Sequence, residues 1–227
     1  MPDNHFVPII LRDINSPWER VLPRGVPASF PRGAILESTG LPSKTPGMYY
    51  IRQGRVRLSY LGLNGEEKYV FYMARGSFFG EIPILHESPA PGIFTIMEDV
   101  SATFLAKALI TEVFIQENPD LALNLFTSLS LKARSFYAQL CSTGMYDAFT
   151  NVCRMLYSMH LHNRERGVVV PVLSQQEVAS LLGIHRSTLH VALTRLKKEG
   201  IIGKYSRNRL DILAPDRLYC YTGVYTP

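Results

Sequence analysis

The stretch that leaves the chain least freedom is LSQQEVASLLGIHRSTLHVALTRLKKEGII, residues 173–202. Ser174 followed three residues later by Glu177 forms a capping box: hydroxyl and carboxylate each satisfy an amide orphaned by the first turn, so a helix starts at Gln175. Val178, Leu181 and Leu182 give that helix an apolar stripe, and Gly183 ends it, since glycine takes the left-handed conformation at little cost. A second helix runs from about Arg186 to Glu199, with Leu189, Leu193 and Leu196 facing the first and Gly200 closing it. Two short helices around a tight glycine turn make a helix-turn-helix.

With those stripes buried, Arg186, Ser187, His190, Val191 and Thr194 are left on or beside the outward face of the second helix, where a recognition helix meets the major groove. Ile201-Ile202, a basic turn over 203–209, and Leu210-Asp211-Ile212-Leu213 then read as a wing, with Lys204, Arg207 and Arg209 placed for a phosphate backbone. Charge follows the same division. Residues 148–227 carry 11 Lys and Arg against 5 Asp and Glu, whereas residues 1–147 carry 13 against 14. Such asymmetry marks a polyanion-binding module. A membrane surface is the competing polyanion, but no long basic amphipathic helix is available to lie in an interface. No apolar run reaches eighteen residues, and no basic-then-apolar leader opens the chain, so a cytoplasmic protein is expected. Cys141, Cys153 and Cys220 are odd in number and far apart, which fits inert thiols in a reducing compartment.

The first twenty or so residues, with Pro2, Pro8 and Pro17 and little periodicity, read as a poorly specified arm. From about Arg24 short strands alternate with turns: 48–52, a turn at Gln53-Gly54, 55–60, a hairpin at Asn64-Gly65, 68–73, a turn at Arg75-Gly76, then 94–97 and 102–105. That spacing predicts a sandwich or barrel with room for a small ligand. From about Asp120 to Met145, Ala122, Phe126, Leu129, Ala133, Phe136, Leu140 and Thr143 recur at alternating fours and threes. This is a heptad seam, which packs either on a partner helix or on the protein's own strands. Asp147 to about Asn151 is the expected hinge.

Taken together, MYYIRQG at 48–54, GSFFGE at 76–81, the long helix before Asp147 and the helix-turn-helix resemble the cyclic-AMP receptor and fumarate-nitrate regulator (CRP/FNR) family of bacterial transcription factors, over about residues 28–213. The resemblance implies an α+β chain: an N-terminal arm and effector-binding β-roll of the cyclic-nucleotide-binding, double-stranded β-helix type (1–118), a dimerisation helix and hinge (119–147), and a C-terminal winged helix-turn-helix (148–227). It implies a homodimer on a near-palindromic operator in double-stranded DNA, with RNA polymerase as a further partner and allosteric control by an effector. Gln175, Arg186, Ser187, His190, Val191, Lys204 and Arg207 are the expected DNA contacts. The family's arginine-glutamate-arginine reading set survives only at Arg186; Ser187 and Val191 replace the others, with Arg186 suited to a guanine or phosphate and Val191 to a thymine methyl.

The effector pocket carries over as Leu58, Phe71 and Met73 in the roll, the cassette Gly80, Glu81 and Ile82, then positions 91 and 92, and Phe136 and Tyr137 on the helix. Cyclic-nucleotide sensors hold the phosphate with an arginine and a serine ten and eleven residues after the glutamate. Here Pro91 and Gly92 stand there and offer neither charge nor side-chain donor, so cyclic AMP or GMP is not expected. An apolar or aromatic molecule suits better, including an anion paired with Lys132 or Arg134; equally, these aromatics simply fill the core. The long helix also resembles that of the reductive-dehalogenation regulators, which bind halogenated phenols. No cysteine precedes Cys141, which excludes a four-thiolate iron-sulfur cluster within one chain, and the cassette lacks a haem partner for Pro2. His160 and His162 lie two apart on a helix and point to different faces, against a zinc pair. Two alternatives stand behind a regulator: a ligand-binding or interaction protein whose basic end holds something other than an operator, and a cupin-like metalloenzyme, which needs clustered histidines where the roll has only His86.

Overall fold

The computed structural model describes residues 6, 8–37, 46–63, 65, 67–86, 92–162, 164–165, 168–169 and 173–224. Two compact units divide the chain: Ile10–Ala133, and Met1–Ile9 with Arg134–Pro227.

The first unit is built on a seven-stranded sheet. Its strands are β1 (Ile10–Leu11), β2 (Val26–Phe30), β3 (Ile35–Glu37), β4 (Gly47–Leu61), β5 (Glu67–Ala74), β6 (Phe78–Phe79) and β7 (Ile93–Ala106). Short helices α1 (Ile82–Leu85) and α2 (Ile115–Glu117) precede the long α3 (Pro119–Met145). The main path runs β1-β5-β4-β7-β2, with β3 on β7 and β6 on β4. Leu58 opposite Phe94 on β7 and Phe71 on β5 sets the central register. Tyr49, Ile51, Val56, Leu58, Phe71, Met73, Phe79, Phe94 and Ile96 close one core cluster.

Two expectations change here. Gln53-Gly54 is not a turn: β4 and β7 run through as single long strands, with register shifts between Ile51 and Val56 absorbing the irregularity. Gly54 takes φ +93°, and a Cβ on it would lie 2.2 Å from the Asp99 carbonyl oxygen, so the glycine permits close strand approach. Nor is the whole arm unstructured. Ile10 and Leu11 pair in parallel with Tyr72 and Met73, and Ser16–Arg24 forms a 3₁₀ helix that buries Trp18, Val21 and Leu22. Trp18 meets Phe78 edge-on at 5.2 Å and shares a second core cluster with Tyr50, Phe114, Leu121 and Leu125. Asn15 is fully buried yet satisfied: it donates to Asn124 Oδ1 at 2.9 Å and accepts from Ser128 Oγ at 3.2 Å, tying this segment to α3.

In the second unit, α4 (Ala148–His162), the strands β8 (Arg164–Glu165) and β9 (Val168–Val169), α5 (Gln175–Leu182), α6 (Arg186–Lys198), the strands β10 (Ile202–Ser206) and β11 (Arg209–Ile212), and α7 (Pro215–Cys220) follow in order. Four strands pair as β10-β11-β9-β8. Val152, Cys153, Leu156, Leu173, Val178, Leu189, Leu193, Leu196 and Ile201 are buried in it. Burial pushes the Cys153 thiol up to about 12, the behaviour of an inert core cysteine. Phe6 is also buried in this unit, 4.9 Å from the Tyr157 ring and beneath the Arg154 guanidinium.

Candidate functional site

The helix-turn-helix forms as its residues dictate. Ser174 Oγ accepts from the Glu177 amide at 3.2 Å, and Glu177 Oε2 accepts from the Ser174 amide at 2.7 Å, so both arms of the capping box are made. Gly183 sits at φ +66°, ψ +36° and hands its amide to the last turn of α5. The buried stripe of α5 is Val178, Ala179 and Leu181, with Leu182 only partly covered. From α6, Leu189, Ala192, Leu193 and Leu196 are buried, whereas Arg186, Ser187, Thr188, His190, Val191 and Thr194 are exposed. No side chain of the N-cap His185 closes the first turn, which leaves that helix start open to an anion. Gln175 is half-buried at the first position of α5, with Gln176 exposed beside it.

The wing is tighter than the sequence implies. Lys204 and Tyr205 lie within β10, and the turn is Arg207-Asn208. Arg209 is engaged by Asp211 at 2.6 Å, and that bond holds the Asp211 carboxyl below its ordinary range. Of the three wing cations, Lys204 and Arg207 remain exposed and form no salt bridge among the described residues, although the Lys204 charge also helps to hold the Asp211 carboxyl down. Thr188 and Gln176 are also exposed, each in the first turn of its helix, and the sequence reading does not single them out; their place beside the two helix starts is the available signal.

In the roll, Leu58, Phe71 and Met73 are buried and packed into the core cluster with Phe79, Phe94 and Ile96. Gly80 has φ +80°, Glu81 is buried and Ile82 is exposed. Pro91 lies outside the described residues; Gly92 is half-buried, and a Cβ there would meet Leu58 Cδ1 at 3.0 Å. Lys132 corrects one expectation. Its ammonium is not available to an anion, because it is buried and donates to Glu81 Oε1 at 2.7 Å and to the Phe78 carbonyl at 2.8 Å. Arg57 is similarly committed, donating to Glu67 at 2.8 Å and to Thr95 while lying 3.7 Å over the Tyr69 ring. Phe136 and Tyr137 are exposed in the second unit, and a hydrogen bond with Cys141 raises the Tyr137 phenol.

The heptad positions divide clearly. Leu121, Leu125, Ser128 and Lys132 are the buried residues of α3 within the first unit, whereas Phe126, Ala133, Phe136, Leu140 and Thr143 are exposed. Of the seam, Ala122 and Leu129 are half-buried and Leu129 packs on the core cluster of Trp18, Tyr50 and Phe114, so within the first unit the fully buried residues of α3 lie off the seam while Leu129 is shared with the core.

A helix-turn-helix whose outer face is polar and basic, flanked by a two-stranded wing and joined in one chain to a strand roll with a glycine-bearing cassette, defines a DNA-binding protein with a ligand-binding-type domain. Comparison with known proteins makes this specific. Residues 27–117 match the cyclic nucleotide-binding domain and residues 151–221 the Crp-like helix-turn-helix domain. The chain belongs to the CRP/FNR family of transcription regulators. A CRP-like cAMP-activated global transcriptional regulator of Mycobacterium tuberculosis is 26% identical over 180 residues, 78% of this chain and 79% of that protein. The cyclic AMP receptor protein of Thermus thermophilus is 26% identical over 155 residues, 68% of this chain and 70% of its own length. Among solved structures, a CooA mutant from Carboxydothermus hydrogenoformans superposes with a TM-score of 0.77 at 18% identity, covering 90% of this chain and 91% of that one. CprK complexed with OCPA gives 0.76 at 18% identity, covering 94% and 98%. No helix among the described residues is long and apolar enough to cross a membrane.

Proposed function

We propose that the chain is a homodimeric regulator that reads a near-palindromic operator and responds to a small organic molecule other than a cyclic nucleotide. The observation that carries the reading is the division of α6, with every leucine buried and Arg186, Ser187, His190, Val191 and Thr194 presented together. The exposed seam of α3 supports a symmetric pair, and a twofold pair of recognition helices calls for two half-sites about one DNA turn apart. Effector binding then favours one arrangement of the two DNA-binding units, and only that arrangement matches the half-site spacing. RNA polymerase is the expected protein partner, and the cytoplasm, where Cys141, Cys153 and Cys220 stay reduced, the expected compartment.

A gel-shift titration against salt tests the core of this reading. Operator affinity falls steeply with salt while sequence preference persists, and Arg186→Ala lowers operator affinity by about 1–3 kcal/mol without lowering binding to random duplex to the same degree. Equal losses on both duplexes would reduce Arg186 to a phosphate contact.

Against a cyclic nucleotide stand Pro91 and Gly92 in the sequence and the closeness of Leu58 to position 92. The complex of CprK with OCPA is a precedent on the same fold for a different ligand. The second reading, a cyclic nucleotide as effector, is favoured by the match over residues 27–117 and by relatives named as cAMP-activated. Thermal melting separates the two. A ligand that binds the native state raises the melting temperature by mass action, so cyclic AMP at about 100 times a micromolar Kd would add about 2.7 kcal/mol. No shift is expected here.

A further inference from the structure

The junction between α3 and α4, which the sequence marks as a hinge, is spanned by side-chain contacts within the second unit. Asn151 on α4 is buried and donates its amide to the Ser142 carbonyl at 2.9 Å and to the Tyr146 carbonyl at 3.2 Å, which holds the last turn of α3. Arg154 lies 4.5 Å over the Tyr146 ring and donates to the Thr222 carbonyl at 2.9 Å. Asp147 caps α4 by accepting from the Thr150 amide at 2.7 Å. One further contact carries this line to the recognition helix. The Arg195 guanidinium of α6 sits 4.0 Å over the Phe149 ring, in the first turn of α4, and 5.5 Å from the Tyr221 ring; those two rings meet edge-on at 5.3 Å.

Glu199 orients that arginine. Its Oε1 accepts from Arg195 Nε at 2.9 Å, its Oε2 from the Tyr221 hydroxyl at 2.8 Å, and its backbone carbonyl from Arg217 at 3.0 Å. Local helix chemistry does not ask for an acid at this place. Glu199 is the C-cap of α6, where a carboxylate opposes the helix dipole, and arginine four residues before glutamate is the weaker order of such a pair. A residue that goes against both local rules, while its two carboxylate oxygens hold side chains of two different segments, is explained by the geometry it imposes. A guanidinium fixed through Nε keeps one orientation over a ring, which the point charge of a lysine on its flexible stem does not. We infer that Arg195 is a positioning residue: seated on Phe149, it fixes the direction of α6 relative to the C-terminal end of α3 and thereby sets the half-site separation that the dimer accepts. The inference rests on the homodimer and operator reading above and adds to it the residue that fixes the spacing.

Inserting or removing one central base pair turns one half-site against the other by about 35° and shifts it by about 3.4 Å, so spacing preference reads this angle. The full-length protein first selects an operator from a random duplex pool. Gel shifts at fixed salt then compare that operator, versions with the spacer altered by one base pair, and an isolated half-site. For Arg195→Ala the preference for the selected spacing should fall about threefold, the scale of one half-exposed cation–ring contact, with half-site affinity unchanged. Arg195→Lys should behave like Arg195→Ala, because charge alone does not hold the angle. Phe149→Leu keeps the apolar bulk and lies outside the helix-turn-helix; it should show the same fall, and combining it with Arg195→Ala should add nothing. Melting temperatures check each fold. Where one variant fails that check, Tyr221→Phe keeps the ring, removes only the bond to Glu199, and should lower the spacing preference in the same direction. An equal loss on every duplex, half-site included, would make Arg195 a phosphate contact. Unaltered spacing preference in Arg195→Ala, or full rescue by lysine, would leave it no positioning role; each of these results overturns the inference while operator recognition stands. A parent that prefers no spacing overturns the paired-operator reading as well, and one that selects no sequence overturns the DNA-binding reading itself.

Discussion

Lys132→Ala is expected to destabilise the first unit by about 3–5 kcal/mol, because it leaves the Glu81 carboxylate buried with no counter-charge. Lys132 and Glu81 are both almost wholly buried, their charged atoms are 2.7 Å apart, and the ammonium also satisfies the Phe78 carbonyl. Removing the lysine therefore strips two acceptors at once. Glu81→Gln is milder, since an amide keeps one acceptor for the ammonium, though the lysine charge is then uncompensated. The informative variant is Lys132→Met combined with Glu81→Gln. A buried pair offsets its own desolvation only in part, so removing both charges should recover most of the loss, to within about 1–2 kcal/mol of the parent. Urea denaturation of the parent, Lys132→Met, Glu81→Gln and the double variant closes this cycle. A Lys132→Ala penalty below about 1 kcal/mol would mean that water reaches the pair and that its weight is that of a surface bridge. The pair joins the residue following Gly80 to the long helix, so the same variants report how firmly the cassette is held to α3.

What could be read beforehand followed the range of the interactions involved. The capping box at Ser174 and Glu177, the left-handed Gly183 and the leucine spacing of α6 are set by contacts three or four residues apart, and the local sequence contains all of them. The same holds for the family resemblance, whose motifs are short runs in a fixed order. The N-terminal segment shows the opposite case. Pro17 and Pro23 in Ser16–Arg24 erase any α-helical period, and Trp18 is placed by Phe78, Leu121 and Leu125, up to about a hundred residues away. Gln53-Gly54 looked like a turn because a glycine after a polar residue has that local signature; only the opposing strand at Asp99 makes it an irregularity within a long strand. In the wing, Arg209 counted as a cation until Asp211, two residues on, took up its charge. Lys132 shows the limit most clearly. Its partner is 51 residues away on another element, and nothing in the helix's own periodicity distinguishes it from a solvated lysine. The seam of α3 was visible as a repeat, but its direction was not. The residues the helix buries within the first unit include Ser128 and Lys132, polar side chains that a hydrophobic count assigns to solvent.

Leu140→Glu should convert the protein to a monomer and lower operator affinity by about three orders of magnitude. Leu140 is 74% exposed and Phe126, two heptads earlier, is 61% exposed, so α3 presents to water two of the large residues its own repeat marks for burial. Covering one such side chain contributes about 1.5–3 kcal/mol, and a twofold axis uses each residue twice. A glutamate there removes that contribution and sets two like charges across the axis in a place closed to water, where neither has a counter-ion. Sedimentation or light scattering at micromolar concentration reads the first consequence directly. The second follows from linkage: two half-sites held by one dimer bind with an effective concentration that separate monomers lack, and the loss of avidity commonly spans 10²–10⁴-fold. Binding to an isolated half-site should be unaffected, because Arg186, Val191 and the wing cations all lie beyond the seam in sequence. If the parent chain sediments as a monomer and still discriminates a palindrome from its half-site, the exposed stripe on α3 serves a different partner. The operator symmetry would then have to arise on the DNA.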